Sequence, residues 1–108
     1  MKILFDTNTP APLHRYLKGY EVALAVELEW DGLQNGALLD AAEKAGFDVL
    51  VTCDQNLPYQ QNFTDRKVAV VILSTNHWLR IRPEAARIAT AVEFVQRGQV
   101  VRVEVTKR

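Results

Sequence analysis

Two short stretches carry the side chains with the most chemistry. Each ends an apolar run in Asp-x-Asn: Ile3-Leu4-Phe5 leads into Asp6-Thr7-Asn8, and Val49-Leu50-Val51-Thr52-Cys53 leads into Asp54-Gln55-Asn56. The runs read as buried strands. If those strands are parallel neighbours, both Asp-x-Asn ends meet at the carboxyl edge of one sheet, where open α/β folds hold ligands. Two carboxylates placed there repel each other, and a divalent cation is the simplest compensation. Mg²⁺ is commonly held by one or two carboxylates, waters and substrate phosphates. Asp-x-Asn is also turn chemistry, because both side chains bond nearby backbone and either caps a helix. One copy alone favours the turn. Two copies, each ending a strand-like run, favour a site.

The rest of the chain has to bring those ends together. Pro10 and Pro12 stand where a helix starts, and Leu13, Tyr16 and Leu17 follow at helical spacing up to Gly19. His14 falls on the outer side and reads as a surface residue. Glu21 to Val26 predicts a second strand, and Glu27 to Gly32 a loop in which Trp30 packs over the sheet edge. Asn35 reads as an N-cap for a helix that ends at Gly46. Phe47 to Cys53 is apolar enough for burial on both faces, as in a parallel sheet, with Cys53 a small buried hydrophobe. The amide-rich segment from Asn56 to Asn62, with Gln60 and Gln61, predicts a short helix or irregular segment. Val68 to Leu73 is a fourth strand, ending in the polar Ser74-Thr75-Asn76-His77. A last helix opens at Pro83 and Glu84, carries Phe94 on its apolar face and closes at Gly98, and Val100 to Val105 alternates like an edge strand. Strands and helices therefore alternate throughout. That order predicts an α/β fold: a three-layer α/β/α sandwich with right-handed crossovers and a mostly parallel central sheet of about five strands.

A chain of 108 residues, 48% hydrophobic and 24% charged, suits a single domain over 1–108. Thirteen basic residues balance thirteen acidic ones, so nucleic acid would have to bind through a local patch. The single Cys excludes an internal disulfide and a Cys-based zinc cage. No run approaches a membrane span and no signal-peptide pattern opens the chain, so the expectation is a cytoplasmic protein with no membrane contact.

Met1 to Asn8, Trp30-Asp31-Gly32-Leu33-Gln34-Asn35-Gly36 and Val51 to Leu57 together resemble the small bacterial PIN-like proteins, which include VapC-like toxins and domains of unknown function. The stretch from Tyr59 to Ser74 adds to the likeness, which runs over roughly residues 1–82. The resemblance implies a metal-dependent nuclease site. In such nucleases acidic residues hold Mg²⁺ or Mn²⁺, and the metal activates a water and stabilises charge on the phosphate. It also implies RNA as substrate, a cognate antitoxin as partner and a tendency to homodimerise. Carried over, Asp6 and Asp54 are the catalytic acids and, with Asn56, the metal ligands. Asn8, Asn35, Thr52, Gln60, Gln61 and Arg66 are the polar residues that orient them or contact substrate. Asn35 and Asn56 stand where active members of the family carry acids, which lowers the ligand charge and predicts weaker cation binding. Asp31 and Asp40 are the acids nearest in sequence to compensate.

Three functions compete. The first is a Mg²⁺- or Mn²⁺-dependent ribonuclease, in the toxin role of a toxin–antitoxin pair. The second is a catalytically weakened PIN-like module that binds nucleic acid or a partner protein. The third is a receiver-like phosphoacceptor, which Asp6, Asp54, Ser74 and Lys107 imitate in order, although Thr7 and Asn8 replace its acidic pair.

Overall fold

In a computed structural model of the chain, residues 1–57 and 65–106 are described, with Asn35 through its backbone only. The elements are β1 (Lys2–Phe5), a 3-10 helix (Ala11–Tyr16), β2 (Glu21–Leu24), a second 3-10 helix (Ala25–Leu28), α1 (Asn35–Lys44) and β3 (Val49–Thr52). Then come β4 (Ala69–Leu73), α2 (Trp78–Ile81), a 3-10 turn (Arg82–Glu84), α3 (Ala85–Phe94) and β5 (Val100–Val103). The five strands form one sheet in the order β2-β1-β3-β4-β5, with every pair parallel. The expected α/β fold with a parallel five-stranded sheet is present. No helix among the described residues is long and apolar enough to cross a membrane.

Strand alternation feeds two apolar clusters, one on each face. Ile3, Phe5, Val49, Val51, Val71 and Leu73 join Leu13 and Leu17 of the first 3-10 helix and Ile81, Ala85, Ile88 and Val92 of α2 and α3. Leu4, Leu50, Val70 and Ile72 join Leu38, Leu39 and Ala42 of α1. Every residue of β3 and β4 is buried, as a strand covered on both faces must be. α1 ends on Lys44; Gly46 follows at φ +82°, and Lys2 Nζ donates to the Ala45 carbonyl at 2.6 Å. A cation at a helix carboxyl end satisfies carbonyls and opposes the negative pole of the dipole.

The crossovers depart from expectation in hand. The β1-to-β2 connection and the β4-to-β5 connection pack on the same face but run in opposite directions across the sheet. Parallel crossovers related in that way have opposite hands. The β2-to-β3 connection, through α1 on the other face, has the hand of the first. The β4-to-β5 crossover is therefore the odd one, against the strong general preference for a single hand.

Several local expectations are also corrected. The segment after Pro10 winds over Ala11–Tyr16 as a 3-10 helix with Pro12 in its first turn, not as a regular α-helix. Gln34, not Asn35, holds the extended N-cap conformation of α1, and Asn35 is the first helical residue. The last helix, α3, does follow Pro83 and Glu84, with Glu84 at its N-cap, but a separate short helix, Trp78–Ile81, precedes the 3-10 turn that holds the proline. Phe94 is 72% exposed, outside the core that α3 covers through Ala85, Ile88 and Val92. Trp30 is partly buried, edge-on to Phe47 with ring centroids 6.0 Å apart.

Candidate functional site

β1 and β3 are adjacent, yet the connection after β1 leads outward to β2 while α1 returns past β1 to β3. Such a switch in direction opens a crevice at the carboxyl ends of the two strands. A pocket of about 380 Å³ occupies it, lined on the strand side by Asp6, Thr7, Asn8, Asp54 and Leu57. Asp31, Leu33, Gln34 and Leu38 complete it from the loop before α1 and from the helix itself.

The register Phe5↔Val51 makes the next pair Asp6 and Thr52, and Asp6 N–H donates to the Val51 carbonyl at 2.9 Å. Thr52 is fully buried. Its hydroxyl donates to Asp6 Oδ2 at 2.7 Å and accepts from Asp54 N–H at 3.1 Å. One side chain thus orients a carboxylate on β1 and fixes the backbone that carries the other. Asp6 Oδ1 accepts from Thr7 N–H at 2.7 Å, and Asp54 Oδ1 accepts from Asn56 N–H at 3.0 Å. Asn8 Oδ1 accepts from Cys53 N–H at 3.1 Å, a second clamp between the two loops. Thr9, buried beneath, donates to the Val51 carbonyl at 2.8 Å.

Asp6, Asp54 and Asn8 therefore share one pocket, with Thr52 beneath. Asp54 makes both the site and the turn: its Asx bond to Asn56 is the turn chemistry that competed with the site from sequence. Asn56 is exposed and does not line the pocket, because that turn carries it past the crevice. Arg66 is elsewhere too. It pairs with Asp40 at 2.6 Å and Glu43 at 2.7 Å along α1, so its charge is committed there rather than to a ligand. That pairing also takes Asp40 out of contention. Gln60 and Gln61 lie outside the described residues, and so does Lys107.

Asp31 is the residue that sequence order undervalued. No motif marks it, but its loop is tied back: Trp30 N–H donates to the Ala25 carbonyl at 2.9 Å, with Glu29 in the left-handed region at φ 60°. Trp30 then anchors the loop on Phe47. Thr7, Leu33, Gln34, Leu38 and Leu57 also line the pocket, and none of them was among the expected site residues. The first turn of α1 borders the pocket, and Gln34 makes no side-chain cap bond there.

Cys53 is no nucleophile. Burial pushes its thiol up to about 11; a hydrogen bond to Thr9 acts the other way, and the charge of Asp6 adds to the rise. It stays protonated at neutral pH, with Sγ donating to the Thr75 carbonyl at 3.4 Å.

The donor set is hard oxygen: carboxylates of Asp6, Asp54 and Asp31, and the Asn8 amide. That set suits Mg²⁺ or Mn²⁺ and not a thiophilic metal. Among the described residues no three acidic, His or Cys side chains converge closely enough to form a ready-made cage. Ser74, the hydroxyl of the receiver-like pattern, lines a different cavity, and its Oγ accepts from Val105 N–H at 2.8 Å. Comparison with family models, with curated protein sequences and with solved structures finds no match for this chain.

Proposed function

We propose that this protein is a metal-dependent ribonuclease that hydrolyses RNA phosphodiesters at the β1–β3 crevice. The observation that carries the reading is that Asp6 and Asp54, from distant parts of the chain, line one pocket and are tied to one buried hydroxyl, that of Thr52. Mg²⁺ or Mn²⁺ would be held by Asp6 and Asp54, with Asp31 across the pocket and Asn8 as a neutral oxygen donor. When bound, such a cation lowers the pKa of a coordinated water and stabilises charge on the attacked phosphate.

The chain's own groups do the positioning. Thr52 directs Asp6, and the Asx turn holds Asp54. The first turn of α1 offers N–H groups to a phosphate oxygen, as helix N-termini do for anions. The remaining coordination positions would be left to water and substrate, which is ordinary for Mg²⁺. The PIN-like resemblance supports RNA as substrate and adds a finer proposal, a toxin restrained by a cognate antitoxin.

A weakened binding module is the second reading. It is favoured by the exposed position of Asn56, which leaves three acids spread around an open pocket. A receiver-like domain shares the strand order β2-β1-β3-β4-β5. Against it stand the separate cavity of Ser74 and the face on which α3 packs. The deciding experiment is cleavage of single-stranded RNA across Mg²⁺ and Mn²⁺ titrations. Cleavage lost in Asp6→Asn and Asp54→Asn supports the nuclease. RNA retained in anisotropy, without cleavage at any metal concentration, moves the assignment to the binding module.

A further inference from the structure

At the carboxyl edge of β4 and β5 lies a second cavity of about 560 Å³, lined by Gln55, Ser74, Arg80, Glu104, Val105 and Thr106. Arg80 stands out there. Its Nη2 donates to the Val105 carbonyl at a long 3.4 Å, and its Nε is buried without a hydrogen-bond partner among the described residues. A guanidinium keeps its charge and offers five donors in a planar fork. A buried donor of a charged group without an acceptor is disfavoured, and with only one long bond from Nη2 the Arg80 guanidinium is short of acceptors. Ser74 Oγ accepts from Val105 N–H, which leaves its own proton to donate.

Gln55 plays another part. Its Nε2 donates to the Cys53 carbonyl at 3.1 Å and the Leu73 carbonyl at 2.6 Å, and its Oε1 accepts from Arg102. With its amide committed, Gln55 is a wall. It follows Asp54 directly and so separates this cavity from the Asp6–Asp54 pocket. Arg102, held against that wall, adds positive charge nearby, while Glu104 supplies the opposing charge among the lining residues.

We propose that Arg80 and Ser74 form an anion site that takes a phosphate group. An arginine fork matches two phosphate oxygens, and a hydroxyl reaches a third. Resting on the ribonuclease reading, the source is a backbone phosphate of single-stranded RNA flanking the one at Asp6 and Asp54. Free phosphate is the other source of the same chemistry.

Inorganic phosphate titrated into the full chain without metal, followed by calorimetry, tests the site. Saturable binding is expected, weakened about tenfold or more in Arg80→Gln and tightened in Glu104→Gln. Asp6→Asn and Asp54→Asn are expected to leave it unchanged. The Glu104→Gln arm stands apart from any folding defect in Arg80→Gln. No saturable binding, equal binding in Arg80→Gln, or weaker binding in Glu104→Gln overturns the proposal. In EDTA, anisotropy with an RNA oligonucleotide reads the source: Arg80→Gln is expected to lower the salt-dependence slope by about 0.7, one phosphate contact. An unchanged slope with phosphate binding intact overturns the RNA source. None of these measurements involves cleavage, so a missing nuclease activity does not bear on them.

Discussion

Thr52 Oγ1 joins Asp6 Oδ2 across β1 and β3 in a 2.7 Å hydrogen bond, made by a side chain with no solvent exposure. The same oxygen accepts from Asp54 N–H. Replacing this hydroxyl with a methyl strands two polar groups while barely changing volume. Thr52→Val is therefore expected to cost about 1–3 kcal/mol in urea unfolding. It should also weaken Mn²⁺ binding by roughly 10–100-fold, the usual loss when the partner of a ligand is removed. Thr52→Ser keeps the bond and should retain most of both. Equal stability in the Val and Ser variants would show that the hydroxyl merely fills space.

The two acids should separate function from fold. Asn at 54 still makes an Asx turn, and Asn at 6 still accepts from Thr52. Metal-free melting of Asp54→Asn and Asp6→Asn is therefore expected within about 0.5–1 kcal/mol of the unaltered protein. Cleavage should fall by about 100-fold or more in each, since charge on the ligands is what holds and tunes the cation. Asp31→Asn, across the pocket, should reduce cleavage less and chiefly raise the metal concentration needed. Large losses of metal-free stability in both variants, with cleavage falling only in step, would make these carboxylates structural caps.

How far the sequence carried this picture depends on where each signal was local. The apolar runs around Leu4, Leu50 and Val70 are unbroken because both sheet faces are covered, so the parallel sheet was legible. Asp6 and Asp54 were legible because each ends such a run. The hand of the β4-to-β5 crossover was not, since it depends on which face Ile88 and Val92 choose, and an amphipathic helix fits either. Asp31 was obscured for the same kind of reason. Its place is set by a local backbone bond from Trp30 to Ala25 and by the non-local contact of Trp30 with Phe47, which leave no spacing to read. Arg66 misled because a basic residue looks free in the sequence until its partners on α1 are seen.

Trp30 links packing to the site and can be tested as such. Its ring meets Phe47 nearly edge-on, with an interplanar angle of 74°, and Lys2 Nζ lies 4.3 Å from the centroid of the Phe47 ring. Trp30→Ala removes one member of that stack and is expected to cost on the order of 2 kcal/mol, below the range for a fully buried Trp. Because the next residue is Asp31, the metal requirement for cleavage should rise as well. Trp30→Phe restores the edge contact and should recover most of both effects. Stability lost with an unchanged metal requirement would mean that the loop holds Asp31 without its anchor.

Glu43 predicts a pH dependence with a definite sign. Burial pushes its carboxyl up, but hydrogen bonds from Arg66 and from Lys67 N–H, with the Arg66 charge, carry it net below the ordinary value. Arg66 is raised in turn, chiefly by its bond to Glu43. A carboxyl depressed in the folded state contributes stability above its unfolded pKa of 4.5, and that contribution is lost as pH falls through the folded value. Both side chains are mostly shielded, at 21% and 17% exposure, so the pair is worth more than a surface bridge. Glu43→Gln should therefore cost about 1–2 kcal/mol in urea unfolding at pH 7. The penalty should shrink as pH falls below 4.5 and vanish once the native carboxyl also takes up its proton. Arg66→Gln should follow the same course, and the double variant at pH 7 should lose less than the sum of the two single losses. A penalty for Glu43→Gln that is the same at pH 7 and pH 3 would mean that the carboxylate charge contributes nothing and that only shape holds Arg66 to α1.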